Sequence, residues 1–421
     1  MSSHPFLDGH FAGLLERFPK SRRSAMSPSL LPELLDLVID HLHNDPDTLK
    51  TCCIVPKSCV TPARRHLFAH VEFDALNSDL EVWKKTFPDP SNSPARYTRS
   101  LFIHSNHDIT AADTAAGGWV RTFQNVTHLQ LMRLNRASLI PFHGISLTLR
   151  SLDLTYLTAE AFDLVCSFPL LEDLSLSTLY PESDSHRWNP PPTSPKLTGS
   201  LRLWMQGRTR PVARRLLELP DGLRFKNLNV SIFGDDIRSV EDLVSACSET
   251  LEHLTILYSP LSAFPSTPVT SQHLTIPDTD VPRVVFLDIS KAKKLKHLTF
   301  SRSRSSRSTV QWITMTLQTV DSKNLQSITI KPHDRPPETI EEDVYQEWQD
   351  LDRVLVQFWT SRSIRPRVVY MPRLGEGKDL GVDVPILLPE LTRRGLVDLV
   401  KLPLESFYMY GHFFSACDLR C

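Results

Sequence analysis

Glycine is scarce in this chain of 421 residues, which contains 14 glycines against 32 prolines. Nucleotide-binding sites usually rest on glycine-rich loops, and the sequence contains neither a GxGxxG nor a Walker A pattern. The GxSxG and HExxH patterns of hydrolases and zinc proteases are absent as well. We therefore expect no enzymatic activity and no cofactor.

Cysteine, net charge and long apolar runs are also limited. Seven scattered cysteines without a secretory signal are typical of a reducing compartment, and none belongs to a pattern with zinc-site spacing. Lys+Arg 47 against Asp+Glu 48 gives a net charge of -1, which argues against general affinity for nucleic acid or anionic membranes. No run approaches the ~18 apolar residues of a membrane span. We expect a cytoplasmic and/or nuclear protein with no metal, nucleic-acid or membrane partner.

The first organised stretch contains three short helical patterns between residues 28 and 71. Pro32, Pro46 and Pro62 each stand where the first turn of a helix accepts proline. An apolar stripe at helical spacing follows the first of them, at Leu34, Leu35, Val38, Ile39 and Leu42. Helices this short are not stable alone, so they must pack on one another or on a partner.

From residue 100 onwards a short motif recurs, in which apolar residues occupy the first, fourth and sixth positions. Its clearest copies are Leu149–Leu154 and Leu171–Leu176, and Leu251–Ile256 is among those that follow. Most copies lie 22 to 30 residues apart, close to the ~20–29-residue period of leucine-rich repeats. In a strand of this pattern the apolar residues point into the core and the residues between them face outwards.

The C-terminal part has a different pattern. A wide apolar stripe predicts one long amphipathic helix, with members at Val344, Trp348, Leu351, Leu355, Phe358 and Trp359. A final strand is expected over residues 367–370 and a last helix over residues 388–400. Because the last repeat of a solenoid has no neighbour, we interpret these helices as a terminal cap.

The opening stretch resembles the F-box, in the version that precedes leucine-rich repeats in many fungal proteins. The resemblance is carried by Leu31-Pro32-Glu33-Leu34, Ile39, Leu42, Asp47-Thr-Leu-Lys50, Cys52, Val55 and Pro62-Ala-Arg-Arg-His-Leu-Phe68. It implies docking to a Skp-family adaptor within an SCF-type, cullin-based ubiquitin ligase. One departure is Cys59, which stands where the family has a tryptophan.

The resemblance and the strand pattern together predict two groups of binding residues and no catalytic residue. The predicted adaptor contacts are Leu31, Pro32, Leu34, Leu35, Ile39 and Leu42. The predicted contacts to an unknown protein substrate face outwards from the strands: His128, Gln130, Asp153, Asp173, Asn227, Asn229, His253 and His297. The alternative is a repeat scaffold with no ligase role, in which the helical module only caps the N-terminal end.

The expected fold class is α/β: an N-terminal three-helix F-box-like module, then an irregular leucine-rich-repeat solenoid with a helical C-terminal cap. In chain order, the expected parts are a flexible leader (1–27), the F-box-like module (28–71), a linker helix and turn (72–99), the solenoid (100–335) and the cap (336–421).

Overall fold

A computed structural model divides the chain into two compact units, Met1–Leu171 and Glu172–Cys421, which are described one at a time. The structure describes residues 32–54, 57–74, 79–89, 92–104, 119–132, 134, 139–143, 145–155, 159–178, 192–205, 209–233, 237–259, 286–302, 307–331, 342–370 and 384–401. The predicted leader and Leu31 lie outside these residues.

The first unit opens with three helices and continues as strands joined by helices or single turns. Its helices are α1 (Pro32–His41), α2 (Pro46–Cys52), α3 (Lys57–Leu67), α4 (Asp79–Thr86) and α5 (Ala159–Cys166), with 3-10 turns at Pro94–Tyr97, Trp119–Thr122 and Ile140–Phe142. Its strands are β1 (His70–Asp74), β2 (Ser100–His104), β3 (His128–Met132) and β4 (Ser151–Thr155).

Two of the three opening helices begin at a proline, α1 at Pro32 and α2 at Pro46. Pro46 begins α2, and the Asp45 carboxylate caps that helix by accepting a hydrogen bond from the Thr48 backbone N–H at 3.1 Å. The third helix was expected to begin at Pro62, but α3 begins at Lys57 and encloses Pro62. A proline inside a helix removes one backbone hydrogen bond, while its burial beside Ala63 gives it a place in the packed interior.

The four strands of the first unit form a parallel sheet in chain order. Alternate side chains are buried, as the sequence pattern predicts; Leu101, Leu129 and Leu152 occupy equivalent register positions and are each no more than 2% exposed. The residues between them face outwards.

The second unit repeats this arrangement, and its first five strands are longer than the strands of the first unit. Its strands are β5 (Asp173–Thr178), β6 (Ser200–Met205), β7 (Asn227–Phe233), β8 (His253–Ser259), β9 (His297–Arg302), β10 (Ser327–Lys331), β11 (Pro366–Tyr370) and β12 (Asp398–Lys401). Its helices are α6 (Arg210–Leu217), α7 (Ile237–Ala246), α8 (Arg307–Gln318), α9 (Glu342–Arg362), α10 (Val384–Leu387) and α11 (Pro389–Arg393).

A repeated hydrogen-bond step sets the strand register in the second unit. The carbonyl before β7, on Lys226, accepts bonds from the Glu252 N–H at 2.8 Å and the His253 N–H at 3.0 Å. The Glu252 carbonyl does the same for Lys296 and His297. Because β7, β8, β9 and β10 enter the sheet in the same way, residues at equivalent positions form straight rows across these strands.

Helices cover the buried face of this sheet. Trp312 of α8 is fully buried, with its ring stacked on Tyr258 at 4.6 Å between centroids and edge-on to Phe300 at 5.9 Å. The predicted long amphipathic helix is confirmed as α9, which buries Leu351 and Leu355 completely and packs against α8.

The α/β class is confirmed, but the predicted leucine-rich-repeat solenoid with a helical C-terminal cap was wrong. The strands of each unit are all parallel and pair in chain order, and the sheet is open. The connector from β3 to β4 has a single described 3-10 turn, whereas that from β10 to β11 is the 21-residue α9. The leucine motif predicts the strands and their buried side chains. It does not predict the length of the connectors or the helices within them.

The C-terminal segment extends the sheet and does not cap it. Strand β11 pairs with β10, and β12 pairs with β11, both in parallel. The helix expected over residues 388–400 ends at Arg393, because Gly395 takes a positive φ of 64° and its N–H bonds to the Thr392 carbonyl at 3.0 Å. The chain then enters β12.

Candidate functional site

Helix α1 presents one apolar face to the interior of the N-terminal module. Ile39 is 1% exposed and forms a small core with Leu49 of α2 and Ala63 of α3. Leu35 and Leu42 stand four residues before and three residues after Ile39, so they share its face and pack against the same core. The module therefore has an interior of its own, and this face is already used.

A second apolar face of α1 is exposed. Leu34, Leu37 and Val38 lie at the spacing of neighbours on one helix surface, with 48%, 56% and 52% of each residue exposed. Ile54, just beyond α2, is 59% exposed. Adjacent large apolar side chains in water are typical of binding surfaces. We call Leu34, Leu37 and Val38 the outer face of α1.

Polar contacts join α1 to α3 and cap the start of α2 beneath this face. The imidazole Nε2 of His66 on α3 lies 2.6 Å from the Asp40 carboxylate on α1. Asp45 accepts bonds from both the hydroxyl and the backbone N–H of Thr48, and these bonds lower the pKa of its carboxyl. The outer face therefore rests on helices whose mutual arrangement is fixed by packing and by hydrogen bonds.

Thiols fill the remainder of the module's interior. Cys52, Cys53 and Cys59 are half-buried and pack against the Ile39 core. Burial raises the pKa of the Cys52 and Cys53 thiols, so both remain protonated at neutral pH. Cys59 takes part in the core as a small apolar residue.

An aromatic cluster connects the module with the first sheet. The Phe68 ring, just after α3, meets Trp83 of α4 edge-on at 6.0 Å, and Trp83 meets Phe73 of β1 at 5.5 Å. Helix α3 also packs on the 3-10 turn Pro94–Tyr97. These contacts fix the module on the strands that follow it.

The predicted adaptor contacts separate into two groups. Leu34 belongs to the exposed outer face, while Ile39 is buried and Leu35 and Leu42 are half-buried around it. Pro32 begins α1, and its side chain lies outside the described residues, as does Leu31. Leu37 and Val38 were not among the predicted contacts, although their three- and four-residue spacing from Leu34 identifies them once the buried face is known.

Four of the predicted target contacts belong to one row across the second sheet. The row runs through Asp173, Ser200, Asn227, His253, His297 and Ser327. Asp173 accepts a bond from the Ser200 N–H at 2.7 Å, and Asn227 donates to the Ser200 hydroxyl at 3.0 Å. Asn229 stands in the next row, two residues further along β7.

The two histidines of this row stack on each other. Their ring centroids are 4.4 Å apart and the rings are 19° from parallel. His297 Nδ1 lies 2.8 Å from the Ser327 hydroxyl, which fixes the orientation of its ring. Burial lowers the pKa of His297, and so does the charge that His253 and Lys296 would place beside it, against a smaller opposite effect of Glu252.

The other three predicted target contacts lie in the first unit. His128 and Gln130 face outwards from β3, and Gln130 is the register partner of Asp153 on β4. The eight predicted residues thus form one group of three and one group of five, each within a single sheet.

Comparison with known proteins leaves the family open. No protein-family model and no curated protein matches this chain. Among the described residues, no group of three or more His, Cys, Asp or Glu side chains is arranged to hold a metal ion. None of the described helices is both long enough and apolar enough to cross a membrane.

Proposed function

We propose that this chain is the substrate-recognition subunit of an SCF-type, cullin-based ubiquitin ligase. The outer face of α1 docks to a Skp-family adaptor, and the outward face of the strands holds the protein to be modified. The chain performs no chemistry. It raises the effective concentration of its target beside a ubiquitin-loaded enzyme.

The observation that carries this proposal is the exposure of Leu34, Leu37 and Val38 beside a core that is complete without them. A helix that is apolar on both faces needs a partner for the second face. Full burial of side chains of this size contributes on the order of 1.5–3 kcal/mol each. Three of them in one patch suit a helix that docks into an apolar groove.

The resemblance of residues 31–68 to the F-box supplies the identity of the partner. It assigned Leu35, Ile39 and Leu42 to the adaptor as well, but these side chains form the module's own core. The proposed contact surface is therefore Leu34, Leu37 and Val38, with Ile54 at its margin.

A scaffold with no ligase role is the second candidate. Its supporting observation is the attachment of the module to the first sheet through Phe68, Trp83 and the packing of α3 on Pro94–Tyr97. A module that only closed the end of a sheet would make such contacts.

Assembly with purified components separates the two candidates. The full chain is mixed with a recombinant Skp-family adaptor and the adaptor-binding domain of a cullin, and the mixture is resolved by size-exclusion chromatography. The ligase proposal predicts a three-component peak that needs the adaptor to bring the chain to the cullin. A chain that elutes alone at micromolar concentrations of all three components supports the scaffold.

A further inference from the structure

Charge is distributed unevenly over the outward strand positions, although the whole chain is almost neutral. From β6 to β11 these positions carry Arg202, Lys331 and Arg367 and no Asp or Glu. The described outward side chains of β1 to β4 show the opposite pattern, with Glu72 and Asp153 and no Lys or Arg. In the second unit the outward positions of β5 and β12 carry Asp173 and Asp398, so the basic character belongs to the strands between them.

Two of these cations end a single row of the second sheet. The row consists of side chains in direct register on six successive strands: Arg202, Asn229, Thr255, Thr299, Thr329 and Arg367. We call this set the arginine-ended row. Between the two guanidinium groups it presents an amide and three hydroxyls, which are neutral hydrogen-bonding groups.

Neither arginine is neutralised within the described part of the chain. Arg202 and Arg367 are exposed, and neither forms an ion pair with a described carboxylate. On the neighbouring strand β5, Asp173 already accepts the Ser200 N–H at 2.7 Å. At the other end, Asp398 of β12 is the register partner of Arg367 and marks the limit of the basic face.

Apolar surface lies beside the row. Trp204 stands two residues beyond Arg202, and Leu257 stands two residues beyond Thr255, both on the outward side and both half-exposed. Tryptophan and arginine are the residues most enriched among those that dominate protein-binding energies. Charge selectivity and apolar anchoring are thus available on neighbouring rows.

We propose that the arginine-ended row binds an extended, acidic segment of the target protein, with one carboxylate at Arg202 and a second at Arg367. This rests on the proposed function in one respect, namely that the strand face holds the target. A guanidinium binds a carboxylate through two parallel N–H···O bonds. Because Arg202 and Arg367 stand at opposite ends of the row, they do not form the kind of arginine cluster that binds phosphorylated motifs.

The dimensions of the row fix the spacing of the acidic residues. Five steps between strands of ~4.8 Å each separate the arginines by about 24 Å along the sheet. An extended chain advances ~3.3 Å per residue, so the segment carries its two carboxylates about seven residues apart. The backbone between them meets Asn229 and the three threonines.

The test is selection from a displayed library of random 14-residue peptides on the immobilised full-length chain. We expect the selected peptides to be enriched in Asp or Glu at two positions about seven residues apart. A synthetic copy of the strongest peptide should bind about tenfold more weakly to each of Arg202→Gln and Arg367→Gln, and added salt should weaken its binding to wild type. Arg238→Gln, which removes an exposed arginine on helix α7, is the matched control and should bind as wild type.

Three results would overturn the assignment. The first is a set of selected peptides without enrichment in Asp or Glu, or a strongest peptide that both arginine variants bind as tightly as wild type. The second is binding of a phosphoserine peptide when the glutamate version does not bind, which assigns phosphate and not carboxylate. The third is a wild-type dimer in light scattering that Arg202→Gln dissociates, which assigns a second copy of this chain. Because none of these measurements involves the outer face of α1, failure here leaves adaptor docking standing.

Discussion

The imidazole rings of His253 and His297 stack with their centroids 4.4 Å apart on two neighbouring strands. The pair lies between the hydrogen-bonded Asp173, Ser200 and Asn227 on one side and Ser327 on the other. A row tied together in this way has little freedom to lose when a partner binds. It is adjacent to the arginine-ended row and therefore forms part of the same outward surface.

The histidine stack predicts a pH dependence of stability. The pKa of His297 is lowered from its ordinary value of 6.5, chiefly by burial. As the pH falls below about 6.5 the unfolded chain binds a proton before the folded chain does, so the stabilising effect of the neutral ring is lost as pH falls through the folded pKa. We expect a smaller loss of stability between pH 7.5 and pH 5.5 in His297→Gln than in wild type, measured by urea denaturation. An equal loss in both proteins contradicts this.

A side chain at Gly199 would disturb the row that contains Asp173 and Ser200. A Cβ at this position would lie 2.4 Å from the Asp173 Oδ1 and 3.0 Å from the Glu172 carbonyl oxygen. Gly199→Ala must displace the carboxylate that accepts the Ser200 N–H, and we expect a loss on the order of 1–3 kcal/mol in the free energy of unfolding. In the double variant with Asp173→Ala the combined loss should be smaller than the sum of the single losses, because the side chain in closest contact is gone. Additive losses would show that the two residues act independently.

Asp352 of α9 caps the start of helix α11. The residue is 2% exposed, and its carboxylate accepts bonds from the backbone N–H groups of Glu390 at 2.7 Å and Leu391 at 3.1 Å. Asp352→Ala leaves both donors without their acceptor and should lower the free energy of unfolding by about 1–2 kcal/mol. The control is Asp350→Ala on the same helix. It breaks a surface ion pair with Arg353 and should change stability by less than about 1 kcal/mol. Equal losses in a urea titration would contradict the capping role.

Truncating a side chain on the buried face of α1 should destabilise the module much more than truncating one on the exposed face. Ile39→Ala removes buried atoms from the module's core and should cost on the order of 2–5 kcal/mol, seen as faster hydrogen exchange of the α1–α3 backbone amides. Val38→Ala, one residue away on the exposed face, should change the free energy of opening measured by this exchange by less than about 0.5 kcal/mol. Similar exchange in both variants would mean that the faces are not distinct.

Most strands were predictable from sequence because their buried positions are filled by closely spaced apolar residues, as in Leu254 and Ile256 or Leu298 and Phe300. The connectors were harder to predict. Pro62 stands after a threonine, as at a helix start, yet the helix had already begun at Lys57. The helix predicted over residues 388–400 runs past Gly395, whose positive φ ends α11 before β12 begins.

The candidate site was predictable only in outline. The apolar residues of α1 lie on two adjoining faces, and spacing alone does not decide whether Leu34 or Leu35 points inwards. That depends on Leu49 and Ala63, which come from other helices. Arg202 is not among the predicted target contacts, and its alignment with Arg367 follows from a register that no local pattern encodes.

The most direct test of adaptor docking is the equilibrium affinity of a recombinant Skp-family adaptor for the full chain, measured by titration calorimetry. Val38→Asp places a charge in the outer face of α1, while Leu147→Asp places one at an apolar residue that is 70% exposed and does not belong to the N-terminal helices. We predict that wild type and Leu147→Asp bind with equal dissociation constants and that Val38→Asp binds at least about tenfold more weakly. Equal affinities for all three proteins, or no binding by wild type, would contradict the proposed docking function.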